Sequence, residues 1–174
     1  MNHTSFLELN DNVQDDIKLN EYISLIKRKL WNKIVYSSPD LRSIFPSHLS
    51  SRFSNFLQWM KDKNKNYDWR LFIYTLNYIY KDNLSLNLML SLLINAANEW
   101  FLDDISTNHY LFLYSDNKEQ RGILYKKPGK YGLKAELKIC SCLNFTNNDF
   151  VEGEVYFFAG NELPRLKDNL KRVE

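Results

Sequence analysis

Apolar side chains recur at helical spacing over roughly the first hundred residues and alternate over much of the remainder, so the chain changes character once. Ile17, Tyr22, Ile23, Ile26, Leu30 and Ile34, with Lys18, Lys27 and Lys29 between them, predict an amphipathic helix over about 15–36 that follows a loose start. Ser37-Ser38-Pro39-Asp40 stops it. Leu49, Phe53, Phe56, Leu57 and Met60 repeat the pattern over about 47–63, with Ser47 as the expected cap after Pro46. Asp68 is placed to cap a third helix, about 69–81, striped by Trp69, Phe72, Ile73, Leu76, Ile79 and Tyr80. Ser85 is placed to cap a fourth, about 86–102. The run from Leu86 to Phe101 leaves this last helix almost no polar face, which marks it as the central core element.

Beyond Asp103-Asp104 the period becomes two. Segments 109–114 (HYLFLY) and 121–126 (RGILYK) are aromatic and β-branched enough for strands. Over 133–139, Leu133, Ala135, Leu137 and Ile139 alternate with Lys134, Glu136 and Lys138, the pattern of a strand with one wet face. Residues 150–158 give a fourth strand, and Leu163, Leu166, Leu170 and Val173 predict a terminal helix over about 162–173 capped by Asn161. The expected fold is therefore α+β. It comprises an N-terminal lobe of about four helices packed on a C-terminal antiparallel four-stranded meander with a terminal helix. One domain over 1–174 is expected, with the helical lobe about 15–104 and the sheet lobe about 105–174.

Length and composition fit that picture. The 174 residues are 44% hydrophobic and 25% charged, which excludes disordered and collagen-like classes. A formal charge of +2 selects no partner. With only two cysteines, Cys140 and Cys142, no disulfide framework is expected and a reducing compartment fits. The start of the sequence lacks a secretory pattern, and its apolar runs are too short to span a bilayer, so a cytoplasmic protein is expected. Twenty Asn and sixteen Lys against seven Arg indicate AT-rich coding DNA, which speaks to origin and not to chemistry.

No frame for chemistry stands out. The five glycines match neither phosphate-cradling pattern. His3, His48 and His109 sit in no metal-binding frame, and two thiols are too few for a closed zinc site. Asp15-Asp16 suits helix capping and Asp103-Asp104 a helix-to-strand loop. Two surfaces remain. Asp149, Glu152, Glu154 and Tyr156 make an acidic, aromatic strand face suited to a basic protein partner. Tyr125, Lys126, Lys127, Lys130 and Tyr131 make a basic hairpin (125–138) with stacking platforms of the kind that hold single-stranded nucleic acid.

Without catalytic or cofactor motifs, the reading is of a non-enzymatic cytosolic protein that binds another protein and needs no cofactor or metal. It would be an inhibitor or immunity-type protein that neutralises a toxin or host factor by covering its active surface, through the acidic face or by an edge strand accepting a strand from its partner. The alternative is a nucleic-acid-binding regulator that uses the basic hairpin.

Overall fold

The computed structural model describes the backbone of residues 5–80, 84–103, 110–115, 121–126, 136–141, 155–160 and 171–173. Side chains are described for 17–80, 84–102, 123, 155–157 and 171–173. Five helices run α1 (Ser5–Val35), α2 (Leu41–Ile44), α3 (Ser51–Asp62), α4 (Leu71–Ile79) and α5 (Leu86–Asp103). Five strands follow, β1 (Tyr110–Ser115), β2 (Arg121–Lys126), β3 (Glu136–Ser141), β4 (Val155–Gly160) and β5 (Lys171–Arg172). Contacts divide the chain into two compact units, Met1–Asn55 and Phe56–Glu174, with the division inside α3.

In the first unit α1 is already helical from Ser5, earlier than its periodicity predicts. Its stripe is not buried along its length: Ile17, Tyr22, Ile23 and Ile26 are exposed, and only Ile34 and Val35 at its end enter a core. Ser37 closes the helix by donating its N–H, at 3.0 Å, and its hydroxyl to the Ile34 carbonyl. The short α2 then brings Leu41 and Phe45 inside, and Trp31 Nε1 donates to the Phe45 carbonyl at 2.8 Å. Phe45 meets Phe53 edge-on, with ring centroids 5.6 Å apart. Ser50, not Ser47, caps α3, since its Oγ accepts the Phe53 N–H at 3.3 Å.

The second unit is built around α5, as its composition requires. Ser85 Oγ accepts the Leu88 N–H at 3.2 Å, and Leu88, Met89, Leu92, Leu93, Ala96, Ala97 and Trp100 are all buried. The helix packs on α4, β1 and β2. Among α4's residues, Leu71, Phe72, Ile73, Tyr74, Leu76 and Ile79 are buried, so this short helix is covered nearly all round.

The expected fold class is corrected on three counts. The described chain is predominantly helical. Its strands do not form a four-stranded meander, because β4 returns to pair with β1 and the sheet order is β3-β2-β1-β4-β5. The terminal helix is also overturned at its end: Lys171–Arg172 is a strand whose Arg172 lies opposite Tyr156. All pairings are antiparallel, with Leu113 of β1 opposite both Ile123 of β2 and Phe157 of β4.

β1 is the middle strand, flanked by β2 and β4, and its sequence YLFLYS is predominantly apolar. The connection from β3 to β4, residues 142–154, is long enough to carry the chain back, giving the strand order of a Greek key. Ile123 and Val155 are fully buried, and Trp69, just ahead of α4, packs edge-on against Phe157 at 5.9 Å.

Candidate functional site

Two features of the second unit have the geometry of binding sites. The first is a cleft of about 630 Å³ where the end of α3, α4 and β5 come together. It begins with how α3 stops. The Asn64 N–H donates to the Lys61 carbonyl at 3.0 Å and the Lys65 N–H to the Met60 carbonyl at 2.9 Å, while Asn64 takes a left-handed φ of 51°. This is the Schellman closure, in which the crossed bonds satisfy two carbonyls that the helix end would leave open. Asn is among the few residues other than Gly that accept that φ readily.

The closure sets Lys63 and Lys65 on the rim of the cleft, and Arg172 from β5 joins them. Lys65 Nζ lies 5.1 Å from the centre of the Tyr74 ring. Tyr74 is buried, and that burial pushes its phenol above its ordinary value. Trp59 forms a wall, held against Phe56 (6.2 Å, stacked) and Tyr78 (5.6 Å). The side-chain oxygen of Asn77, one turn beyond Tyr74, is buried against the cleft without a hydrogen-bond partner. No carboxylate lines the cleft among the described residues.

The second feature is the edge of the sheet. Among the described strands, β3 has a neighbour, β2, on one side only. In an antiparallel pair, alternate residues of an edge strand point their N–H and C=O groups away from the sheet, which leaves β3 a template for an added strand.

Of the residues singled out in the sequence, Tyr156 lies in β4, only 7% exposed and opposite Tyr114 of β1. Asp149, Glu152 and Glu154 lie outside the described residues. Tyr125 and Lys126 sit in β2 opposite Leu137 and Glu136 of β3, whereas Lys127, Lys130 and Tyr131 lie outside the described residues. His48 faces Trp31 (6.4 Å) and shares a depression of about 280 Å³ with Glu21 and Arg28 in the first unit. His3, His109 and Cys142 lie outside the described residues, and Cys140 is in β3 opposite Gly122.

Among the described residues no three His, Cys, Asp or Glu side chains gather as a metal site. No described helix is long and apolar enough to cross a membrane. Sequence reasoning missed the cleft because its members come from 59–65, 77 and 172–173. The run Lys61-Asp62-Lys63-Asn64-Lys65 was its only linear trace.

Compared with known proteins, residues 15–164 match a family model described as methanobactin biosynthesis cassette protein MbnC-like. No curated protein matches the chain. The family match overturns the expectation of an inhibitor or immunity-type protein directed at a toxin or host factor, because the family is described by a biosynthesis cassette.

Proposed function

Because the chain belongs to the MbnC-like family of methanobactin biosynthesis cassette proteins, we propose that it serves that synthesis in the cytoplasm as the component that holds an extended polypeptide for modification. The edge of β3, which has one neighbour among the described strands, carries the reading. A polypeptide added there gains main-chain hydrogen bonds along six residues, and alternate side chains supply specificity. Glu136 and Lys138 on that strand discourage indiscriminate pairing with other sheets, as charged edge residues do. The bond-making steps then fall to a partner encoded in the same cassette, and this chain contributes position and register.

Co-expression with each neighbouring reading frame of the cassette, followed by affinity capture and amide hydrogen exchange, tests this. A cassette product is expected to co-purify and to slow exchange in residues 136–141. Lys138→Pro and Ile139→Pro sharpen the result, since adjacent residues point their N–H groups to opposite sides. One substitution breaks pairing with β2 and loosens the fold; the other leaves the fold intact and abolishes capture. Capture of no cassette product, or capture that leaves the β3 amides unprotected, would overturn the proposal.

A further inference from the structure

We infer that α1 is a self-association surface, on which a second copy of this chain docks its own α1 antiparallel. This surface is distinct from the β3 edge, which belongs to the second unit, and neither reading needs the other. Every residue from 17 to 23 is exposed, apolar and polar alike, so no side of that stretch is covered by the described residues. Leu19, Tyr22 and Ile26 are 55%, 61% and 39% exposed and stand three and four positions apart, the spacing of a narrow coiled-coil seam. Ile23 flanks them and is exposed as well. α1 runs for 31 residues, and of its described side chains only Ile34 and Val35, at its far end, are buried. A helix draws most of its stability from an apolar face packed on something else, so the open turns of α1 gain from a partner.

The order of charges along α1 names that partner. Residues 5–20 carry four acidic side chains and one basic, Lys18, whereas residues 21–35 carry four basic and one acidic, Glu21. Parallel pairing of two copies would set acid against acid and base against base. Antiparallel pairing sets the acidic half of each copy along the basic half of the other, brings Tyr22 of each beside Ile26 of its partner across a two-fold axis, and opposes the two helix dipoles. Complementarity here lies in the order of the charges and holds whatever neighbours the individual lysines also touch. A single helix pair sits at the small end of interface sizes, so the dimer forms and dissociates with concentration.

Sedimentation equilibrium of the full chain across a wide concentration range, at low and at high salt, tests this. A monomer–dimer equilibrium is expected, weaker as salt rises. Leu19→Glu and Tyr22→Glu should each weaken the dimer at least about tenfold. Because both residues are exposed, the urea midpoint of the dilute protein should stay at the wild-type value. Leu102→Glu, at an exposed leucine of the second unit, should leave the equilibrium unchanged. Orientation is read from the double substitution Asp15→Asn with Asp16→Asn, which weakens an antiparallel dimer and strengthens a parallel one. A chain monomeric at every concentration, a dimer indifferent to Leu19→Glu and Tyr22→Glu, or one tightened by the double substitution would overturn the inference. So would a monomer in which Leu19→Glu and Tyr22→Glu abolish capture of a cassette product, since the face would then belong to that product.

Discussion

Asp68 and Arg70 clasp each other two positions apart at the entry to α4. Arg70 Nη2 lies 2.6 Å from Asp68 Oδ2, Nε reaches both carboxylate oxygens at 3.0 and 3.1 Å, and the Arg70 backbone N–H donates to Oδ1 at 2.9 Å. Partial burial pushes the Asp68 carboxyl up, but the side-chain and backbone hydrogen bonds from Arg70 outweigh it and hold the group below its ordinary value.

The sign of the pH dependence follows. A carboxyl whose folded pKa is depressed adds stability that is present above its unfolded value, near 4, and is lost as pH falls through the lower folded value. Urea midpoints of the wild type and Asp68→Asn should therefore differ at pH 7 and converge as pH drops below about 4. With the pair about one-third exposed, the difference at pH 7 should be about 1 kcal/mol or less. A gap that persists at low pH would contradict the assignment.

Trp31→Phe keeps most of the ring but removes the indole donor to the Phe45 carbonyl. The cost should be about 1 kcal/mol, that of one part-buried hydrogen bond. Chemical denaturation of the variant checks it, and an unchanged midpoint would show that water takes the donor's place.

Thr75 and Asn77, two residues apart on α4, should respond in opposite senses to loss of their polar atoms. Thr75 is fully buried and its hydroxyl donates to the Leu71 carbonyl at 2.9 Å, so Thr75→Val should cost about 1 kcal/mol. The Asn77 oxygen is buried with no partner, so Asn77→Leu should leave the protein as stable or more so. Thermal melts of both variants give the comparison.

Val173 ends the described chain as a bolt on the sheet. Its N–H donates to the Val155 carbonyl at 2.9 Å and its side chain is buried. Val173→Asp places a carboxylate in an apolar site and should destabilise by about 3 kcal/mol or more, with β5 detaching first. Hydrogen exchange at the β4 amides would show the release; unaltered protection would mean that β5 is not integral to the sheet.

Helices were the more legible part of the sequence because their evidence is local. The spacing of Phe53, Phe56 and Met60, or the unbroken apolar run from Leu86, fixes a helix without knowing what lies across from it. The caps were legible in type and not always in place: Ser85 serves at the predicted position, Arg70 and not Asp68 stands at the cap of α4, and Ser50 takes the role expected of Ser47. The sheet order was not legible, because pairing of β1 with β4 joins Tyr110 to Gly160 and no alternation within either strand records its neighbour. Tyr156 illustrates the limit: a period of two assigned it outward, yet it is buried. The cleft escaped for a related reason, since Arg172 reaches it only through the return of the chain beside β4.

That return also dictates an order of assembly. The β1, β2 and β3 segments are neighbours in sequence and can pair as soon as they leave the ribosome, but the other flank of β1 lacks β4 until about twenty residues more have been made. During that interval β1 offers a sticky, half-finished border, and crowding or a slow stretch of translation there would favour aggregation over completion.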